Sequence, residues 1–416
     1  MKKRWLIGLM AVLLCLMPTM ARAENGQKSK DYTKRCSIDC GSIRDATRHL
    51  LSDFVTDYVT FPAQASVKAS WTDEYPAAYL GLQWFAPVEG VTVRAFDGNG
   101  QLLKEETLRP YPESVILLDA QTRSVTVTAG EAGMDMSQLR IFGEGTLPDP
   151  YHLWQDTPEQ LDYLLISTHP DDDVLYLGSV VPIYGAEQGY VGTIAYVTSN
   201  PRGRVTEAEN GAWEMGLRYH PLFMGFLDIS QAATAQQKAQ FDYDELVRDT
   251  VRLYRQYHPA VVFAQGEKGE YGHWQHILSS QAAVEAFDLA ADPAYDPDSV
   301  VSYGTWQVQK LYLHDYGENK LRLDGNAPLA AFDGTTAWKV AQKAFKKHVS
   351  QVKYNFYVMR DDQNHAFNRF GMIKGVVEAG DDAFANIPAE LLSTYDPSAP
   401  KPTEAPSPEP TPADPS

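Results

Sequence analysis

Apolar residues recur along this chain in two rhythms. Between about residues 63 and 145, short runs alternate apolar and polar positions: 66–71, 78–85, 91–96, 114–119, 124–129 and 139–142. Turn sequences such as Asp97-Gly98-Asn99-Gly100 and Pro110-Tyr111-Pro112 separate them. A two-residue period belongs to strands with one buried face, so this stretch predicts a small all-β sandwich, with a jelly roll among its forms. From about residue 160 the runs become continuous: 163–167 (YLLIS), 191–199 (VGTIAYVTS), 222–227, 260–264 (AVVFA) and 310–316. They alternate with helix-like segments at 204–216, 243–257 and 277–289. Strands without polar interruption are covered on both faces, which predicts an α/β domain of Rossmann-like, three-layer form with a mostly parallel sheet. No Gly-rich dinucleotide fingerprint accompanies it.

The ends of the chain read differently. Lys2, Lys3 and Arg4 precede an apolar stretch at 5–17, and Ala21-Arg22-Ala23 offers a cleavage site, so residues 1–23 predict a secretory signal peptide. The stretch is shorter than the about 20 residues that span a bilayer, and no later run is long enough. The protein is therefore expected to be secreted or at a bacterial cell surface. Residues 393–416 are rich in Pro, Ser, Thr, Ala and acids, a composition that stays extended and disordered. Between these ends the expected division is a 24–62 segment with a helix-like stretch at 43–58, the sandwich at 63–147, a linker at 148–160 and the α/β domain at 161–392. Cys36 and Cys40 are the two cysteines left after cleavage, and either a local disulfide or two free thiols fits them. The formal charge of −18, which becomes about −22 when four basic residues leave with the leader, excludes nucleic acid as an expected partner and suits a neutral glycan. Trp71, Trp84 and Phe85 are either sandwich core, the commoner role for such residues, or a sugar-stacking surface.

Two segments carry candidate chemistry. His169-Pro170-Asp171-Asp172-Asp173 follows the 163–167 run, and His273-Trp274-Gln275-His276 follows the 260–264 run through a turn with Gly266, Gly269 and Gly272. Acidic residues after a strand also cap helices, and the first segment alone allows that reading. Two strand ends that each deliver imidazole to one sheet edge point instead to a metal site of nitrogen and oxygen ligands. His314, on the 310–316 run, is explained by alternation on a half-buried strand.

These two segments resemble the motifs of the PIG-L (LmbE-like) zinc-dependent N-deacetylases, which read roughly AHPDDE and HPDH in that family. The resemblance spans about residues 160–390. It implies a fold of the three-layer kind, Zn2+ or another divalent transition metal, and removal of acetyl from N-acetylglucosamine-type glycans or conjugates. Carried over residue by residue, it implies metal ligands His169, Asp172 and His276, a general base Asp171, and His273 as an imidazolium facing the oxyanion. Tyr271 resembles an assisting loop tyrosine. Asp173 stands where the family has Glu and is expected to orient a ligand from behind. Gln275 stands where the family has Asp, which removes a charge that steadies a histidine. Arg204, with Arg202 close by, is a substrate candidate by the same resemblance, set against a surface Arg204/Glu207 pair. Asp228 is a further substrate candidate, set against a turn aspartate. The expectation is a secreted de-N-acetylase. Its alternatives are an inactive glycan-binding surface protein on the same fold, and a hydrolase of another amide or ester.

Overall fold

The computed structural model describes residues 27–200 and 202–393; the expected signal peptide and all but the first residue of the Pro-rich tail lie outside them. The chain divides into two compact units between Trp154 and Gln155. Both α and β elements occur, in several sheets.

The first unit holds strands β1 (Ser37–Asp39), β2 (Val59–Phe61), β3 (Ser66–Ser70), β4 (Tyr79–Trp84), β5 (Thr92–Asp97), β6 (Leu102–Thr107), β7 (Glu113–Leu117), β8 (Thr122–Thr128) and β9 (Met134–Phe142). They form a five-stranded sheet in the order β1-β3-β8-β5-β6 and a four-stranded sheet in the order β2-β9-β4-β7, all antiparallel. Val67, Ala69, Val125 and Val127 of one sheet share a core with Leu80, Leu82, Leu139 and Ile141 of the other.

Several expectations change here. Residues 24–62 are not a separate segment, because β1 pairs with β3 and β2 with β9. The helix-like stretch at 43–58 shrinks to α1 (Ala46–Leu50). The buried Arg140 guanidinium donates to Leu50 O and Ser52 O, both at 2.7 Å, and so takes up carbonyls that a longer helix would use. β6 escaped the sequence pattern because it is an edge strand whose Lys104, Glu105 and Glu106 break the alternation. Trp71 and Trp84 are buried in the core, and Phe85 stacks on Tyr58 at 4.1 Å. Cys36 and Cys40 are free thiols. Cys36 Sγ turns to Tyr32 O and Cys40 Sγ to Thr47 Oγ1, and burial pushes the Cys36 thiol up to about 11.

The second unit is built on β10 (Tyr163–Ser167), β11 (Gly192–Asn200), β12 (Leu222–Leu227), β13 (Val261–Ala264), β14 (Lys310–His314), β15 (Lys320–Arg322), a small ribbon of β16 (Pro328–Leu329) and β17 (Thr335–Thr336), and β18 (Arg369–Gly375). Its helices are α2 (Asp172–Leu175), α3 (Arg202–Glu214), α4 (Ala235–Lys238), α5 (Tyr243–Tyr257), α6 (Trp274–Leu289), α7 (Pro297–Tyr303) and α8 (Ala337–Phe345). The main sheet runs β12-β11-β10-β13-β14-β18-β15, parallel from β12 to β14 and antiparallel beyond.

Every residue of β10, β13 and β14 is buried, as their unbroken apolar runs require. Leu164, Ile166, Val262, Leu311 and Leu313 pack with Leu246, Val251 and Tyr254 of α5 and Ala282 and Ala286 of α6. From the alternate positions, Phe263 stacks against Tyr184, and Tyr184 meets Phe384 edge-on. β14 is thus covered throughout rather than half-buried. From β10 the chain goes outward to β11 and β12 on one side, then crosses to β13 and β14 on the other. The carboxyl ends of β10 and β13 therefore flank the switch point of the sheet, where a parallel sheet leaves a crevice. Among the described residues no helix is long and apolar enough to cross a membrane.

Candidate active site

The segment HPDDD leaves β10 into that crevice. Thr168 N and Oγ1 donate to Gln265 Oε1 at 2.9 and 2.8 Å, which ties the end of β10 to the residue after β13. Asp171 then caps α2 with φ at 133°, a backbone state costly for a residue with a Cβ, of order 1–3 kcal/mol. Such strain persists only where the surroundings hold it, and here it sits at the centre of the acidic cluster. On the other strand, Gly269 makes the turn at φ +64°; a Cβ there would lie 2.6 Å from His273 O. His273 is the N-cap of α6, with Nδ1 accepting from Gln275 N at 3.3 Å. The helix begins at Trp274 rather than residue 277, so His276 stands in its first turn.

Three atoms from these two segments meet. His169 Nδ1 lies 3.0 Å from Asp172 Oδ2 and 3.1 Å from His276 Nε2, and His276 Nε2 lies 3.1 Å from Asp172 Oδ2. Hydrogen bonds on the far side of each ring fix the tautomers. His169 Nε2 faces Gln275 Oε1 at 3.1 Å, and the Gln275 amide is itself held by Leu227 O and Ile229 N. His276 Nδ1 donates to Glu270 Oε2 at 2.7 Å. With the rings neutral, two lone pairs and a carboxylate oxygen point at one place, an arrangement that needs a positive charge between them, supplied by a cation or by a proton on His276 Nε2. Ligands of a tetrahedral zinc at about 2.0–2.1 Å stand about 3.3 Å apart, so the donor set and its spacing fit a divalent metal. His273 also brings a ring nitrogen within 4.8 Å of those of His169 and His276, so the three histidines form a looser donor set beside the triangle.

Charge is arranged accordingly. Burial pushes the Asp172 carboxyl up, but His276 and His169 outweigh it and hold it well below the usual carboxylate range. Burial likewise pulls His276 down, yet Asp172 and Glu270 raise it to about 10. Burial and the neighbouring Asp172 charge push the Asp171 carboxyl well above its ordinary value, against the pull of Arg204. Asp173 rises to about 7 through burial, opposed by the Tyr196 hydroxyl that donates to it at 2.8 Å. Its other oxygen accepts from Asp171 N at 3.2 Å, so it braces the strained Asp171 backbone rather than a ligand ring.

The remaining expected residues separate into those that join the site and those that do not. Arg204 bonds Asp171 Oδ1 at 2.6 Å and also Asp228 and Pro170 O. Glu207 instead binds Ser350, which rules out the surface pair. Asp228 is likewise no plain turn residue. Arg202 bonds Thr206 on its own helix at 3.0 Å and does not line the cavity. That cavity, about 310 Å³, holds His169, Asp171, Asp172, Arg204, Asp228, Tyr271 and His273 in its walls. Tyr271 is half-exposed at its mouth, meeting His276 edge-on with ring centroids 5.6 Å apart. His273 is a neutral imidazole and not an imidazolium: burial and the charges of His169 and His276 depress it to about 3.

Sequence reasoning missed Glu270 and the part played by His314. Glu270 Oε1 accepts from His314 Nδ1 at 2.6 Å and Gly266 N at 3.0 Å, while Oε2 holds His276. His314 Nε2 faces Ala366 O at 3.0 Å, so both its nitrogens donate and it is cationic. An acid inside an otherwise glycine-rich loop was the available signal. Gln275 also does more than its lost charge suggested, since it fixes the His169 tautomer.

No family model matches the chain. It is similar to 1D-myo-inositol 2-acetamido-2-deoxy-alpha-D-glucopyranoside deacetylase 1 of Catenulispora acidiphila, 30% identical over 178 residues, or 36% of this chain and 54% of the relative. The enzyme of the same name, without the numeral, from Streptomyces griseus is 24% identical over 305 residues, 59% of this chain and 95% of the relative. The chain thus spans about half the length of the first of these curated relatives. Among solved structures, N,N'-diacetylchitobiose deacetylase from Pyrococcus horikoshii aligns over 51% of this chain and 76% of its own, at 18% identity and a TM-score of 0.37. In its sequence matches, with HPDDD and HWQH following two neighbouring strands, the chain is similar to deacetylases of the PIG-L (LmbE-like) family.

Proposed function

We propose that this protein is a secreted, metal-dependent hydrolase that removes acetyl from N-acetylated amino sugars, with Asp171 as general base. The domain plan behind this reading is a Rossmann-like three-layer catalytic domain preceded by a small all-β sandwich. The observation that carries it is the triangle of His169 Nδ1, Asp172 Oδ2 and His276 Nε2, with edges of 3.0–3.1 Å, beside a second carboxylate in the same cavity.

Those three atoms would hold Zn2+ or another divalent transition metal, which supplies Lewis acidity and makes water nucleophilic near neutral pH. Asp171 has its carboxyl raised towards the working range of a general base; it takes the proton of the attacking water and passes it to the departing amine. Arg204 holds that carboxylate in place and ties it to Asp228. His273, with Nδ1 engaged by Gln275 N, presents Nε2–H and donates to the carbonyl oxygen as negative charge builds there. Tyr271 at the mouth is placed to touch substrate.

The test is acetate release from N-acetylglucosamine oligomers, measured together with metal content. Asp171→Asn should keep its metal and lose most turnover, whereas His276→Ala should lose both. Equal metal loss in the two variants would mean base and ligand are mis-assigned. A metal-free wild type that binds glycan without releasing acetate would favour a binding protein instead.

A further inference from the structure

Residues 334–360 carry six basic side chains, Lys339, Lys343, Lys346, Lys347, Lys353 and Arg360, and no acidic one, in a chain of net charge −18. All six are exposed or half-buried. Helix α8 buries Ala337, Val340, Ala341, Ala344 and Phe345, which turns Lys339 and Lys343 to water. Lys347 pairs with Glu214 at 3.7 Å, but Lys339, Lys343, Lys346 and Lys353 have no carboxylate partner among the described residues.

The same stretch then enters the catalytic cavity, where Gln351, Tyr354 and Phe356 line the wall shared with His169 and Asp171. It also leaves apolar surface uncovered: Tyr354 is 57% exposed, Tyr357 54% and Phe356 38%. Tyr271 joins from the other motif, its ring 6.3 Å from that of Phe356 and within 28° of parallel. Lys353 Nζ stands 5.0 Å from the Tyr354 ring, so cation and aromatic face are interleaved at the rim.

We infer that this rim binds an acidic glycan, in which N-acetylated amino sugars are interspersed with carboxylate- or phosphate-bearing units. The inference rests on the deacetylase reading and narrows its substrate. A cavity of about 310 Å³ is at the small end of ligand pockets, about 300–1,000 Å³, so it houses the reacting sugar while neighbouring units lie over the rim. Aromatic faces there take the apolar faces of sugar rings, and Lys353 beside Tyr354, backed by the other unpaired lysines of the same stretch, attracts the acidic groups between them. The overall negative charge favours neutral glycans, and the basic stretch reverses that preference where the chain of sugars would lie.

The experiment compares kcat/KM of the metal-loaded protein for a neutral N-acetylglucosamine tetrasaccharide and for a tetrasaccharide alternating N-acetylglucosamine with glucuronate. The acidic tetrasaccharide should be preferred at low salt, and the preference should fade as salt screens it over about 10 Å and less. Charge reversal in Lys346→Glu/Lys353→Glu, within the basic stretch that leads into the cavity, should cut the acidic-to-neutral ratio by about tenfold, since surface charges around a binding site act mainly on encounter. Tyr354→Ala/Phe356→Ala should weaken both tetrasaccharides and leave their ratio standing. Equal use of the two substrates at low salt, or a ratio untouched by charge reversal, overturns the inference. So does a reversal that abolishes binding to anionic phospholipid vesicles while leaving the ratio intact, which would assign the surface to a membrane. If no acetate is released from any substrate, the deacetylase reading fails separately. Calorimetric binding of the acidic tetrasaccharide, with and without the charge reversal, then decides the rim on its own.

Discussion

Glu270→Gln tests the buried arrangement behind His276. The carboxylate accepts from His314 Nδ1, Gly266 N and His276 Nδ1, at 2.6, 3.0 and 2.7 Å, and is fully buried. Glutamine has the same shape but only one acceptor oxygen, so one imidazole N–H must face an amide NH2. Losing one partner of a buried ion pair costs about 3–5 kcal/mol, and losing the carboxylate behind a ligating histidine costs about 10–100-fold in metal affinity. The stability loss depends on pH. Burial pushes Glu270 up, but its bonds to His276 and His314 hold the carboxyl well below its ordinary 4.5; that stabilisation is present above 4.5 and lost as pH falls. Burial pulls His314 down, but the Glu270 carboxylate outweighs it and raises the imidazole above its ordinary 6.5; that stabilisation is present below 6.5 and lost as pH rises through the raised value. The two overlap between about pH 5 and 6.5, where the metal-free variant should fall furthest below wild type. Denaturation of both proteins from pH 5 to 9 gives the first magnitude, and competition with a chelator gives the second. A variant that binds metal like wild type, and loses less than about 1 kcal/mol at pH 5.5, would refute the linkage of Glu270, His276 and His314.

Two other changes separate chemistry from structure. His273→Phe should keep its metal while kcat falls by about 10²–10³, the usual loss for one donor to a developing oxyanion; an unchanged kcat would remove His273 from the mechanism. Glu209 on α3 is fully buried, its oxygens have no hydrogen-bond partner although His220 Nε2 lies 3.6 Å away, and burial, against the charge of Arg202, raises it to about 7 from 4.5. Its ionisation therefore destabilises the fold increasingly from pH 4.5 to 7, by about 3 kcal/mol above that range. Glu209→Gln should match wild type near pH 4.5 and be the more stable protein at pH 8; denaturation midpoints at the two values check it.

The sequence alone determined the elements whose pattern is local. The apolar run at 163–167 and the amphipathic run at 243–257 are a strand and a helix with those bounds, because burial on two faces or one stripe leaves its period in the residue order; the run at 222–227 is a strand as well, although it lies partly exposed at the sheet edge. That His169, Asp172 and His276 come together was legible as well, since the first two follow β10 directly, His276 follows β13 through one loop, and the sheet carries those two strand ends side by side. Other features carry no local signature. The five-residue α1 is decided by Arg140, about 90 residues away in the chain, and β1 and β2 by partners in β3 and β9. Arg204 looked free to pair with Glu207 until folding set it against Asp171 and Asp228. The charge of His314 and the neutrality of His273 depend on burial and on neighbours from other strands. Tertiary structure decided these because the free energy of a charge depends on the groups and dielectric around it in space, whereas the period of a strand or helix is written along the chain itself.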